Sequence, residues 1–254
     1  MDESFRAVYS RLSAAQKGRA RGAPAYSVHV NRPLGRILAT LAYKAGLTPN
    51  QVTLVSAAFT LTGIALLATL TPQVGLGIAV WLLLGLGYAW DSADGQVARL
   101  RGGGSLDGEW LDHVVDAVKL ISLHLAVLIG LYRFTDLDRA LLLVPLGFTV
   151  VSGVTFFAMI LNDLLKSARG VQSSAARGGG GTSLRSFLVL PTDYGVLCAL
   201  FVLWAWTPVF LGAYTLVFAA CTAFLLLALV KWFREMRALS LRDDPASAEV
   251  LMPR

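Results

Sequence analysis

Charge is what this sequence has least of. Asp, Glu, Lys and Arg make up 15% of its 254 residues, against about 25% in an average soluble domain. Stretches 51–90, 141–162 and 194–230 hold no charged residue at all. With 56% hydrophobic residues and a mean hydropathy of +0.62, the chain fits neither an ordinary soluble domain nor a disordered one. Cysteine is scarce as well. Cys198 and Cys221 both sit in apolar runs, so a disulfide-stapled scaffold is excluded. The first fifty residues contain no apolar core of the length a secretory signal needs, and no internal repeat is present.

The apolar runs define the class. A membrane-spanning helix needs roughly 20 apolar residues. Run 51–90 holds two such helices, with Thr71-Pro72-Gln73 as the turn between them. Run 194–230 holds two more, broken at Trp206-Thr207-Pro208. Run 141–162 holds one. A sixth helix, 108–132, is apolar in its second half and acidic in its first. The expected fold is therefore an all-α integral membrane protein of six transmembrane helices in three hairpins.

Basic residues fix the expected orientation. Eight of the 22 Lys and Arg lie in the first fifty residues, and others cluster at 99–101, 166–185 and 231–254. The opposite loops hold Arg133 and Arg139. The positive-inside rule then puts both termini on the cytoplasmic side of the cell membrane. This distribution accounts for the net charge of +6 by membrane lipid rather than nucleic acid. Leu34, Ile37, Leu38 and Leu41 recur at helical spacing among Arg32, Arg36 and Lys44, which reads as an interfacial amphipathic helix ahead of the first span. The expected organisation is an N-terminal tail (1–29), the juxtamembrane helix (30–50), a six-span domain (51–232) and a C-terminal tail (233–254). Stretch 170–184 is rich in Gly and Ser and reads as a linker.

The few acids are concentrated. Six of the 16 fall between Asp91 and Asp116: Asp91, Asp94, Asp107, Glu109, Asp112 and Asp116. An ionised Asp inside a span costs roughly 2.5–3.5 kcal/mol on insertion scales, so something positive must offset them. Arg99, Arg101 and Lys119 are too few. Divalent ions such as Mg²⁺ or Mn²⁺ suit oxygen-rich donor sets. Asp91 and Asp94 are three apart, and Asp112 and Asp116 four apart, so each pair shares a helix face. Gly102-Gly103-Gly104 between them is a turn that folds the two faces together. Asp107 and Glu109 read as water-boundary charges.

These residues resemble a known signature. Asp91-x2-Asp94-Gly95-x2-Ala98-Arg99-x8-Gly108-x3-Asp112-x3-Asp116 is similar, at every fixed position, to that of the CDP-alcohol phosphotransferases, also called phosphatidyltransferases. Thr48-Pro49-Asn50-x2-Thr53 also looks like the family, and the resemblance covers roughly residues 30–232. It implies metal-dependent transfer of a substituted phosphate, commonly phosphatidyl, from a CDP-linked lipid donor to the hydroxyl of a small alcohol. CMP is released, and the reaction serves phospholipid biosynthesis. It implies six helices around a polar cavity open to the cytoplasm, a homodimer, and two bound ions. Carried onto this chain, Asp91, Asp94, Asp112 and Asp116 would ligate Mg²⁺ or Mn²⁺. Asp116 would also act as general base on the acceptor. Gly95, Ala98, Arg99 and Gly108 would shape the nucleotide site.

The acceptor is less legible. A phosphorylated alcohol would need a second basic patch, for which Lys119, Lys166, Arg169 and Arg185 are the candidates; Lys119 also reads as a counter-ion to the Asp cluster. Many members that use phosphorylated inositol carry Arg directly after the last signature Asp, where this chain has Ala117. His113 and His124 read as structural, and Asp193 as an acid at a helix start. The competing reading is a divalent-cation transporter using the same carboxylates. The crowding of the acids at one membrane face speaks against it.

Overall fold

The computed structural model describes residues 3–14, 25–171 and 192–242. Every regular element among them is helical. A short helix α1 (Phe5–Ala14) precedes α2 (Arg32–Lys44), which continues a π-helical turn at Ser27–Asn31. The long helices follow: α3 (Pro49–Thr69), α4 (Val74–Leu100), α5 (Leu106–Phe134) and α6 (Leu143–Ala168), the last led by a 3₁₀ turn at Arg139–Leu142. Then come α7 (Tyr194–Leu200), continued by a 3₁₀ turn at Phe201–Leu203, and α8 (Thr207–Arg242).

Five helices are long and apolar enough to cross a membrane: α3, α4, α5, α6 with its leading turn, and α8. The chain is thus a multi-pass membrane protein in its helical architecture. The fifth expected span is different. Its described part, Tyr194–Leu203, is a short apolar helix, about 15 Å of rise against a core of about 30 Å. The chain turns at Trp204–Trp206, and Thr207-Pro208 starts a new helix, where proline's missing N–H is not needed. Residues 172–191, which include most of the Gly/Ser-rich stretch and Arg185, lie outside the described residues.

Local chemistry sets the ends. Thr48 caps α3 in a reciprocal capping box with Gln51, and Pro49 occupies the first turn. Ser105 caps α5 by accepting from the Gly108 N–H at 3.2 Å, while Asp107 and Glu109 sit in its first turn beside the positive helix end. The turn between α4 and α5 needs two left-handed residues, Gly102 at φ 96° and Gly103 at φ 139°. An L side chain there would be strained. α8 runs past residue 232 because the Lys231–Glu235 pair at 3.6 Å and the Lys166–Glu235 pair at 2.6 Å hold its polar extension.

The helices pack with small residues at the seams. α3 and α4 form the most extensive contact. They approach closely at Gly87, where an added Cβ would collide with Thr60 Oγ1. The main apolar core lies toward the far end of the bundle, around Leu67, Leu84, Leu123, Phe148, Trp204, Phe210 and Tyr214. A smaller one, built from Leu12, Ala39, Ala42, Val52, Ala93 and Val97, ties α1 and α2 to the last turns of α4. On α2, Leu34, Ile37 and Leu41 stay exposed, an apolar stripe at the end where α3 and α5 begin and α4 ends.

Candidate metal and nucleotide site

The acid end of α4 and the start of α5 face each other across the glycine turn. This juxtaposition brings Asp91, Asp112 and Asp116 together: one carboxylate oxygen from each lies within 4.8 Å of the others. Asp94, one turn further along α4, is buried. Its Oδ2 accepts from Thr53 Oγ1 at 2.9 Å, and its Oδ1 accepts from the Gly95 N–H. Asp94 is thereby held in one orientation from α3. Thr53 and Asn50 belong to the segment entering α3, and the structure gives that segment a physical task that sequence spacing alone did not assign.

Two further contacts were not foreseen. Ser56, one turn beyond Thr53 on the same face, donates to the Gly87 carbonyl at 2.8 Å and accepts from Lys119 Nζ at 3.0 Å. Asn50 Nδ2 donates to Asp107 Oδ2 at 3.0 Å, tying the start of α3 to the start of α5. Asp107 therefore stands at the rim in a hydrogen bond rather than in the cluster. Glu109 lies 4.0 Å from His113, also away from it. The signal for Ser56 was its spacing from Thr53; nothing in the sequence revealed its cross-helix partners.

Beside the carboxylates lies a partly open cavity of about 900 Å³. Asp94 and Asp112 form part of its wall, together with Gly95, Ala98, Arg99 and Gly108. All four expected nucleotide-site residues thus line one space. Gly108 leaves room there, because a Cβ would come 3.0 Å from Asn50 Oδ1. Arg99 Nε is buried without a hydrogen-bond partner. A buried guanidinium N–H is costly to leave unmade and suits an anionic oxygen.

The basic candidates for an acceptor site part company. Lys119 lies inside the carboxylate cluster, bonded to Asp91 and Asp116. Lys166 is buried and ion-paired with Glu235 across α6 and α8. Arg169 follows the end of α6 and is exposed, and Arg185 lies outside the described residues. His124 sits deeper in α5, between Tyr214 and Ser152, far along the helix from the acids. Asp193 caps α7 and also accepts from the Ser27 N–H at 3.0 Å.

The donor set fits hard divalent ions. Three carboxylates converge, with Asp94 one turn along α4, every candidate donor is oxygen, and the single ammonium among them does not balance three carboxylates. The three clustered oxygens stand close enough to share an ion.

A family model described as CDP-alcohol phosphatidyltransferase matches residues 46–233. Among curated proteins, the phosphatidylinositol phosphate synthase of Corynebacterium glutamicum is 37% identical over 145 residues. That match takes in 56% of this chain and 60% of the relative, so the chain spans less than two thirds of that relative's length. The phosphatidylinositol phosphate synthase of Mycobacterium tuberculosis with CDP-DAG bound is similar in fold, with a TM-score of 0.54 at 24% identity, over 80% of this chain and 94% of that one. The same enzyme in complex with manganese and citrate gives a TM-score of 0.52 at 24% identity, over 80% and 89% of the two chains.

Proposed function

The chain belongs to the CDP-alcohol phosphatidyltransferase family, and we propose that it transfers a phosphatidyl group from a CDP-linked lipid to the hydroxyl of a small polar alcohol, releasing CMP. One observation carries this reading. The two halves of the Asp signature, on α4 and α5, converge on a cavity that Arg99 and three small residues also line. A transporter would have no need of Gly95, Ala98, Arg99 and Gly108 at those spacings.

In this reading Asp91, Asp94, Asp112 and Asp116 hold Mg²⁺ or Mn²⁺, with two ions as the expected number. The ions would draw charge from the diphosphate and from the leaving CMP. Arg99 contacts donor phosphate through the N–H that lacks a protein partner. Gly95, Ala98 and Gly108 let the nucleotide lie against helix backbone. Asp116, one turn beyond Asp112 on α5, takes the proton of the acceptor hydroxyl as it attacks. Thr53 holds Asp94 at its place in the wall. Lys166, Arg169 and Arg185 are the candidates to meet a phosphate on the acceptor, and the paired state of Lys166 means that Glu235 would have to share it.

The membrane arrangement follows. The short helix α7 takes the place of the fifth of six crossings, and the cavity and both termini face the cytoplasm of the cell membrane, where CDP-linked donors are made. Residues 51–232 form the catalytic body and α2 lies in the interface. The protein acts as a homodimer. The exposed stripe on α2 supports the interfacial placement.

The test is CMP release from CDP-diacylglycerol by purified protein in Mn²⁺ or Mg²⁺, offered glycerol 3-phosphate, inositol, inositol phosphate or serine. Acceptor-dependent release, lost in Asp116→Asn, is the expected result. It would name the acceptor at the same time. Absence of both release and cytidine-nucleotide binding in folded protein would overturn the proposal and revive ion transport.

A further inference from the structure

Lys119 lies three residues beyond Asp116, inside a helix that spans the membrane, and is 6% exposed. An ammonium has three donors, and all three are spent. Nζ reaches Asp91 Oδ1 at 2.5 Å, Asp116 Oδ1 at 3.1 Å and Ser56 Oγ at 3.0 Å. The serine is oriented to receive it, because its own proton goes to the Gly87 carbonyl at 2.8 Å. The contacts come from α3 (Ser56), α4 (Asp91) and α5 (Asp116), so one charge joins the three helices that build the site. Two of its partners are among the three carboxylates whose oxygens lie within 4.8 Å of one another. A lysine on the surface of the cluster would have been free to leave. This one is enclosed and does not line the cavity.

We propose that Lys119 is a positioning residue that acts as a resident counter-ion: it neutralises part of the carboxylate cluster, fixes the orientation of Asp116, and thereby sets how strongly the site binds divalent ions. The inference rests on the reading of the Asp cluster as a metal site. Physically, a fixed positive charge a few ångströms from a cation site opposes the cation's entry, while the same charge stabilises the cluster when no cation is there. Removing it exchanges one effect for the other. The metal-free protein loses its internal counter-charge, and the divalent ion gains affinity. A lysine whose task was only to tie helices together would weaken the protein equally with and without metal.

The experiment compares wild type, Lys119→Met and Lys119→Arg in detergent, following thermal unfolding while Mn²⁺ is titrated from a chelated start. In Lys119→Met the metal-free midpoint falls below wild type, and Mn²⁺ raises it by more than it raises wild type. Half-saturation moves to at least about tenfold lower Mn²⁺. Lys119→Arg keeps the charge and returns the Mn²⁺ response to that of wild type. At saturating Mn²⁺, CMP release by Lys119→Met falls in kcat, with KM for CDP-diacylglycerol within about twofold, because Asp116 has lost its hold. An identical Mn²⁺ response in Lys119→Met and wild type, with wild type responding, would overturn the role of Lys119 alone. No Mn²⁺ response in wild type would instead sink the metal site, and this proposal with it. Should Lys119→Met fail to fold, Lys119→Gln, uncharged but able to donate to Ser56, is read in the same way. Failure of both to fold, with or without Mn²⁺, would make the charge a metal-independent folding requirement and end the proposal.

Discussion

Helix α5 buries two polar side chains five positions apart, Lys119 and His124, in opposite settings. Lys119 is bonded to two carboxylates of a cluster that borders a cavity. His124 is fully enclosed, with Nδ1 2.6 Å from Tyr214 Oη and Nε2 2.8 Å from Ser152 Oγ. Its ring stacks on Phe148 at 3.9 Å between centroids. The lower polar group is a closed bolt: each ring nitrogen has a hydroxyl partner, from α8 on one side and α6 on the other, and aromatic rings seal it. Nothing there awaits a ligand. At the upper group three clustered carboxylates stand against one ammonium, so the cluster could take up a cation. The difference teaches where to look for chemistry in a membrane chain. Burial of a polar residue does not mark a site; an unbalanced set of buried charges beside open space does.

Substitutions at the two levels should therefore separate activity from stability. The largest effect belongs to Asp112→Asn, which removes one carboxylate from the cluster. CMP release should drop by on the order of 10³-fold or more, the scale expected when a positioned catalytic group or metal ligand is lost. Thermal unfolding without metal should not fall, since one of several mutually repelling carboxylates is gone. The Mn²⁺-induced rise should shrink. A variant that instead lost stability in metal-free buffer would mean the carboxylates are structural, and the contrast with the His124 level would collapse.

Thr53→Ala sharpens the comparison at a smaller scale. It leaves all four carboxylates in place and removes, together with the γ-methyl, the hydroxyl that holds Asp94 at 2.9 Å. Partners that orient metal ligands typically contribute about 10–100-fold in metal affinity or activity. A loss of about tenfold in kcat/KM, partly recovered at high Mn²⁺, is the expected outcome. Unchanged kinetics across a Mn²⁺ titration would show that Asp94 needs no support from α3.

These contrasts also mark what could be read without the structure. The acid-bearing face was legible because helical periodicity is local: spacings of three and four place Asp91 with Asp94 and Asp112 with Asp116 whatever the tertiary fold. Four of the expected spans, α3, α4, α6 and α8, were legible for the same kind of reason, since an uncharged run of sufficient length reports directly on a membrane helix, and α5 was legible from its apolar second half. Partner choice was not. Ser56 meets Lys119 from 63 positions away and His124 meets Tyr214 from 90, and no spacing rule reaches that far. Helix α1 was also missed. Val8 and Leu12 are completely buried, yet two apolar residues four apart among polar neighbours are too weak a pattern to announce a packed helix. The extent of α8 was hidden too, because ion pairs rather than apolar residues carry its last turns.

The smallest effect on activity is expected from His124→Leu, and this makes it the sharpest test of the comparison. The substitution strips both hydroxyls of their partner in a sealed apolar region. Ser152 can turn to a carbonyl of its own helix, as Thr149 and Thr155 do toward Pro145 and Val151, whereas Tyr214 Oη is left buried and unpaired. The stability loss should be about 1–3 kcal/mol, the usual range for an unsatisfied buried group, read from the unfolding midpoint in detergent. Tyr214→Phe in the same background should recover part of it, because removing both partners is milder than removing one. CMP release per folded molecule should stay within about twofold of wild type, since no His124 contact reaches the carboxylates. A large loss of activity in a folded His124→Leu protein would mean that the far end of the bundle controls the site through α5, and the two levels would have to be treated as one coupled unit.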